Sequence, residues 1–291
     1  MNKLLLFINT LRLPNIFMLG LVQYLVCEYL LQIYTSSFLI FTMLATILIA
    51  MGGYLLNDVQ DLEIDRLNHK LKWVNEDNSL IAKRIGFSFI ALGLLCGLIV
   101  SVQCSIYLYP WFLLASFLVI VYAYFLSKYK VIGNLIISFL IAMAILLCFY
   151  QGLEHSIFTK KYYSLQLIGV WVYAGIAFIL NWIRELVKDL EDLDGDRLCG
   201  RKSLPILIGT TITKAIVVFV LLSFIVIFGY IFASVDDNML QHFYLISLIA
   251  LALTGIIQTA SSENSTGYKW SSYILKALML LGMLLPISNF I

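Results

Sequence analysis

Asp58, Asp61 and Asp65 are spaced by three and four residues, and Asp189, Asp192 and Asp196 repeat that spacing 131 positions later. Both copies read D-x-x-D-L-x-x-D-R, and each directly follows a long apolar run. On a helix, positions i, i+3 and i+7 fall within about 60° of arc, so each triad presents one face if the helix runs on past the apolar segment. Gly195 weakens that continuation in the second copy. Glu63 and Asp194 also match across the repeat, but at i+5 they point elsewhere, towards water.

Carboxylates gathered this closely repel and raise one another's pKa unless a cation holds them. Magnesium suits the role, because it prefers oxygen ligands and is commonly held by one or two carboxylates plus substrate phosphates. Two facing triads could hold two or three such ions around one diphosphate and neutralise charge on it as it departs. Arg66, Lys70, Arg197, Arg201 and Lys202 follow at matching or nearby offsets and could clamp the remaining phosphate oxygens. The plainer alternative is a solvated acid–base face at a membrane edge. A duplicated triad with shared flanking residues favours metal–diphosphate binding over it.

The elements that must position these groups are transmembrane helices. Hydrophobic residues form 62% of the 291-residue chain, charged residues 12%, and mean hydropathy is +0.95, far outside the soluble range. The expected architecture is all-α and polytopic, with about nine spans near 15–34, 37–57, 83–104, 108–127, 131–151, 164–184, 212–233, 239–259 and 268–287. Only helices can cross, because open backbone has no partner in hydrocarbon. With the N-terminus inside, sixteen of the lysines and arginines fall on the cytoplasmic side. Lys160 and Lys161 fall outside, and Lys276 lies within the last span. The positive-inside rule therefore predicts N-in and C-out in the cell (inner) membrane, with both acidic loops cytoplasmic.

External connections are short, as at Thr35-Ser36 and Ser105 to Tyr107, whereas the two longest polar stretches, 58–82 and 185–211, carry the repeated motif. The expectation is one membrane-embedded domain over 1–291. Its pseudo-repeated halves, about 1–130 and 131–291, would form a bundle around a central cavity capped by both acidic loops.

Other polar residues weigh less. Four of the five cysteines read as core packing and Cys199 as a loop thiol, and no pair has metal-ligand spacing. His69, His155 and His242 form no ligand set, so zinc is not expected. Residues 1–13 look amphipathic and the first apolar run is long enough to span, so no cleavable signal peptide is expected. Glu28 reads as an interfacial carboxylate reaching water, and Gly52-Gly53 as a place where helices approach or bend. Tyr122, Tyr124 and Lys128 close the fourth span. They fit either an interfacial aromatic belt with a snorkelling lysine, or a tyrosine facing a carbocation or diphosphate with Lys128 beside it.

The segment N-D-x-x-D-x-x-x-D at 57–65 together with 189–196 resembles the intramembrane UbiA-type prenyltransferases. Arg12-Leu13-Pro14-Asn15, the stretch Tyr122-Ala123-Tyr124-Phe125-Leu126-Ser127-Lys128, Gly133-Asn134, and Arg201-Lys202-Ser203-Leu204-Pro205 with Gly209 extend the resemblance over nearly the whole chain. The resemblance implies nine helices around a cavity in which Mg²⁺ holds an isoprenyl diphosphate. It assigns Asn57, Asp58, Asp61 and Asp65 to a first metal–diphosphate site and Asp189, Asp192 and Asp196 to a second. It adds Asn15 and Asn134 as pocket-lining residues, while Asn181 reads as a helix-packing amide.

The run Arg184-Glu185 before Lys188-Asp189-Leu190-Glu191-Asp192 is similar to digeranylgeranylglyceryl phosphate synthases within that family. These attach a geranylgeranyl group to the hydroxyl of geranylgeranylglyceryl phosphate. Such enzymes tend to carry N-x-P-x-R-P after the first motif, whereas this chain has Asn68-His69-Lys70-Leu71-Lys72-Trp73. Lysine there cannot form the bidentate fork of arginine. The expected partners are an isoprenyl diphosphate donor, a lipid or aromatic acceptor and membrane lipids, with no nucleic acid. The same chemistry on an aromatic quinone precursor is an alternative. A cation or organic-anion transporter is another, although the acids cluster at one membrane face and the repeats share one orientation.

Overall fold

A computed structural model describes residues 3–31, 37–67, 72–159, 164–234 and 239–288. Among them, nine helices are long and apolar enough to cross a bilayer. Their positions follow the expected spans closely. The largest difference is in the sixth, which runs from Ile168 to Glu191, past the expected end at 184. Several polar side chains near that end pair within the protein. Asn181 Nδ2 donates to Ser138 Oγ at 3.0 Å, and Glu185 accepts from Arg184 at 2.9 Å and from Lys188 at 3.2 Å. The chain divides into two compact units.

The first unit comprises residues 1–128 and 139–175. It contains α1 (Lys3–Thr10), α2 (Leu13–Leu25), α3 (Ser37–Gln60), α4 (Leu62–Leu67), α5 (Ser79–Gln103) and α6 (Tyr109–Val121). It also holds the later part of α7 (Lys130–Thr159) and the start of α8 (Ser164–Glu191). Single π-helical turns extend α2 over Val26–Leu30 and α6 over Tyr122–Leu126.

Helix α3 packs against α5 along a seam of small residues. A Cβ built on Gly52 would stand 2.6 Å from the Gly86 carbonyl oxygen, and one on Gly93 would stand 2.9 Å from that of Ala45. In lipid, close backbone approach of this kind replaces the hydrophobic drive for helix association. Gly53 lets Val119 of α6 approach in the same way. Buried Gln23 joins three helices, donating to the Ala144 carbonyl at 2.8 Å and accepting from Thr46 Oγ1 at 2.8 Å.

The second unit comprises residues 129–138 and 176–290. It holds the start of α7 and the end of α8, then α9 (Leu193–Leu198), α10 (Leu204–Ile208), α11 (Thr210–Ser234), α12 (Met239–Ser261) and α13 (Ser265–Gly282). One apolar core, with Ile183, Val187, Val217, Leu221, Leu248 and Leu275 at its centre, ties α8 to the last three long helices. Asn264 caps α13, its side chain accepting from the Gly267 amide at 2.8 Å. Gly200 and Gly209 adopt φ of +64° and +90°, which suits glycine, and they turn the chain on either side of α10.

Candidate functional site

The first acidic segment begins inside α3 and ends in α4, with Asp61 as the one residue between them. The break is slight, since the Asp61 amide bonds to the Asn57 carbonyl at 2.9 Å and the Asp65 amide to that of Asp61 at 2.8 Å. Asp58 and Asp65, seven residues apart, therefore share a face, and both are buried. Lys72 Nζ lies between them, 2.8 Å from Asp58 Oδ1 and 2.5 Å from Asp65 Oδ2. Arg12 Nη2 approaches the same Asp58 oxygen at 3.8 Å, and its guanidinium lies 4.7 Å from the centre of the Tyr54 ring. Arg12 holds φ at +52°, the one positive-φ residue other than glycine among the described residues. Asn57 Nδ2 donates to Asp61 Oδ2 at 2.8 Å.

The second segment repeats this local geometry. Asp192 is the one residue between α8 and α9, its amide bonding to Lys188 at 2.9 Å, with the Asp196 amide bonding to Asp192 at 2.9 Å. Gly195 lies within α9, so the triad stays helical through it. Asp189 and Asp196 are buried and share one lysine, Lys130, whose Nζ is 3.1 Å from Asp189 Oδ1 and 2.7 Å from Asp196 Oδ2. Asn134 Nδ2 donates to the other Asp189 oxygen at 2.8 Å, and Arg201 Nη1 stands 3.9 Å from Asp196 Oδ1.

Each motif thus brings its first and third carboxylates onto one ammonium, and a guanidinium adds a second positive charge. The sources of these charges differ. In the first unit the lysine follows the motif and the arginine precedes it, whereas in the second the lysine precedes and the arginine follows. Burial disfavours the Lys72 ammonium, but Asp58 and Asp65 more than offset this and raise its pKa above the ordinary lysine value. For Asp196, burial outweighs Lys130 and Arg201 and raises its pKa above the usual carboxylate value.

Among the described residues, no three or more His, Cys, Asp or Glu side chains form a ready cage for a metal. The residues nevertheless suit magnesium. Two carboxylates converge on a single cation in each unit, and Asn57 Oδ1 is a buried acceptor with no hydrogen-bond partner. Because magnesium usually takes only one or two carboxylates and completes its shell from water and phosphate, no larger cage is required.

The other residues named from the sequence fall into two groups. Asn134 and Arg201 join the second carboxylate pair. Arg66 does not join the first: one position beyond Asp65 it has turned 100° round the helix, and 80% exposed, it pairs with Glu76 at 3.0 Å. Arg197 is the equivalent of Arg66 and is likewise exposed. Lys202 is exposed, with Nζ 5.4 Å from the centre of the Tyr129 ring. Lys70 lies outside the described residues.

Asn15 is in the first turn of α2, its amide bonding to the Arg12 carbonyl at 2.8 Å. Tyr122 and Tyr124 lie in the π-helical turn that ends α6, and Lys128 follows it exposed. The Tyr124 hydroxyl is buried without a hydrogen-bond partner, and Lys83 Nζ lies 5.5 Å from its ring centre. The sequence reading did not single out Lys72, Lys130 or Arg12 as site residues. Lysines beside a membrane edge look like ordinary cytoplasmic flanks, and nothing in their spacing ties them to a carboxylate. An apolar groove of about 470 Å³ lies between α2 and α3, lined by Leu13, Phe17, Gly20, Tyr24, Met43 and Ile47 among others. Its lining begins at the residue after Arg12.

A family model described as the UbiA prenyltransferase family matches residues 21–280. The digeranylgeranylglyceryl phosphate synthase of Saccharolobus solfataricus is 36% identical over 162 residues, 56% of this chain and 54% of that protein. The enzyme of the same name from Korarchaeum cryptofilum is 30% identical over 251 residues, 82% of each chain. The match spans little more than half the length of the first relatives, 58% and 54%. Among solved structures, a UbiA homolog from Archaeoglobus fulgidus bound to DMAPP and Mg²⁺ has the same fold. It aligns with a TM-score of 0.61 at 16% identity, covering 96% of this chain and 99% of that one.

Proposed function

We propose, from the premise that this chain belongs to the UbiA prenyltransferase family, that it is a magnesium-dependent transferase of an isoprenyl group to a lipid alcohol. The best-supported donor is geranylgeranyl diphosphate and the acceptor is geranylgeranylglyceryl phosphate, in keeping with the names of its relatives. The observation that carries this reading is the pair of buried aspartates in each motif whose oxygens meet on one cation. The chain is an integral multi-pass membrane protein. On this reading it sits in the cell membrane with both acidic segments facing the cytoplasm, as its lysine and arginine distribution favours.

Magnesium would be held by Asp58, Asp61 and Asp65 and by Asp189, Asp192 and Asp196, where it supplies Lewis-acid neutralisation of the diphosphate. The residues of the chain do the rest. Arg12, Lys72 and Arg201 present fixed positive charge to phosphate oxygens, and Asn134 orients Asp189. In the transfer, the bond from the allylic carbon to the diphosphate oxygen breaks, and the acceptor hydroxyl oxygen bonds to that carbon. The hydroxyl proton passes to a motif carboxylate not saturated by metal. Tyr124, with its buried hydroxyl and aromatic face, suits an allylic cation or a phosphate oxygen.

Purified protein incubated with Mg²⁺, labelled geranylgeranyl diphosphate and a panel of glyceryl-lipid, 4-hydroxybenzoate and naphthoate acceptors tests the assignment. Mass spectrometry should find the label on the glyceryl lipid. A product on an aromatic acceptor alone would move the chain to quinone-precursor chemistry.

A further inference from the structure

Lys130 is the first residue of α7, and its side chain is 14% exposed between two aspartates that are 3% and 4% exposed. Its ammonium stands 3.1 Å and 2.7 Å from those carboxylates, in the space a divalent ion bridging Asp189 and Asp196 would need. With Arg201 beside Asp196, the two buried carboxylates already face two positive charges. A bare divalent ion would meet a site already neutralised from within, and ammonium and metal repel if both stay.

Resting on the prenyltransferase reading above, we propose that Lys130 is a resident counter-ion of the second aspartate pair, displaced only when the metal arrives with a diphosphate. The diphosphate gives the departing ammonium a new anionic partner and returns the site to balance. Metal uptake at Asp189 and Asp196 is therefore coupled to diphosphate, and the bare site is protected from idle cations. Asn134 supports this arrangement, because it fixes the Asp189 oxygen that Lys130 does not touch and keeps the carboxylate aimed when the ammonium leaves. Lys130 is thus a positioning residue. Lys72 bridges the first pair in the same way, but it reaches it from the connection after the motif rather than from the start of a long helix.

The test is Mn²⁺ binding to the full-length protein in detergent micelles, counted by electron paramagnetic resonance with and without inorganic pyrophosphate. Without pyrophosphate, the wild-type isotherm should coincide with that of Asp189→Asn. With pyrophosphate, the wild type should hold at least one more ion per chain. Lys130→Met should bind an Asp189-dependent Mn²⁺ without pyrophosphate at least tenfold more tightly than wild type, and Lys130→Arg should behave as wild type.

Equal Asp189-dependent binding by wild type with and without pyrophosphate overturns the proposal while leaving the metal site intact. So does a Lys130→Met isotherm that matches wild type. Absence of any Asp189-dependent ion even with pyrophosphate overturns the metal-site reading itself. If Lys130→Met does not remain monodisperse, the comparison of wild type with Asp189→Asn decides alone.

Discussion

Asn134 donates from Nδ2 to Asp189 Oδ2 at 2.8 Å, joining the first turns of α7 to the last turn of α8 across 55 residues of sequence. The bond is buried and charge-assisted, and it leaves Asp189 Oδ1 facing Lys130. A hydrogen bond to a charged group contributes about 1.5–3 kcal/mol. Asn134→Leu is therefore expected to lower kcat/KM for geranylgeranyl diphosphate by about 10- to 100-fold. Asn134→Asp should do worse, because it adds a carboxylate beside one already buried. Steady-state kinetics on both variants checks this.

Asp61 and Asp192 occupy equivalent positions between consecutive helices and are only half-buried, unlike the four other triad aspartates. Their loss should disturb chemistry more than folding. Asp61→Ala and Asp192→Ala are expected to lose at least about 100-fold in turnover, while their thermal midpoints stay within about 3 °C of wild type. Turnover assays paired with thermal unfolding in detergent provide the check.

Arg12 has a left-handed backbone, a conformation that costs a side-chain-bearing residue about 1–2 kcal/mol. The fold tolerates this at a residue whose guanidinium sits by Asp58 and over Tyr54. Arg12→Gly is expected to be at least as heat-stable as wild type yet to bind the diphosphate donor about tenfold more weakly. Arg12→Ala should lose both stability and affinity. Comparing thermal midpoints with donor KM for the two variants separates backbone strain from lost charge.

The α3–α5 seam that positions the first triad has no room at Gly52, where a Cβ would meet a backbone carbonyl oxygen at 2.6 Å. Gly52→Val is expected to destabilise by about 1–3 kcal/mol, as overpacking does, and to shift the Asp58 end of α3 enough to impair turnover. Gly175→Ala is the control, since a Cβ there meets nothing within 4 Å.

The carboxyl of Asp196 sits above the ordinary carboxylate range because it is buried. On the proposed metal-site reading, protons and metal would compete for it, because the charged form is the one that would bind metal. As pH falls towards that raised pKa, the Mg²⁺ concentration for half-maximal activity should climb, reaching about tenfold per pH unit once the group is mostly protonated. In metal-free protein the same shift acts in the opposite sense, since a carboxyl that binds its proton more tightly when folded favours folding as pH falls. Mg²⁺ titrations at stepped pH, alongside thermal unfolding in EDTA, test both signs.

The fold was legible in the sequence because apolar length is a local property. Among the described residues the nine candidate spans fall close to where hydropathy puts them, and the first and third aspartates of each motif share a face because 3.6-residue periodicity requires it. The cations that meet the aspartates were not legible. Lys130 lies 59 residues before the first carboxylate it touches, and Lys72 lies in the polar connection after the first motif, 14 residues beyond Asp58. Long-range pairing depends on how helices pack, which periodicity does not encode. Arg66 shows the converse: adjacent to a motif aspartate in sequence, it faces away because neighbouring helical positions diverge by 100°.

The central claim is that both aspartate pairs hold metal-bound diphosphate for transfer of its prenyl group. Wild type, Asp58→Asn and Asp189→Asn, each reconstituted in lipid nanodiscs, should be given Mg²⁺, labelled geranylgeranyl diphosphate and geranylgeranylglyceryl phosphate. The account predicts a doubly geranylgeranylated glyceryl phosphate from wild type that EDTA abolishes, with yields from either variant at least about 100-fold lower. Near-normal yield from either variant would contradict it.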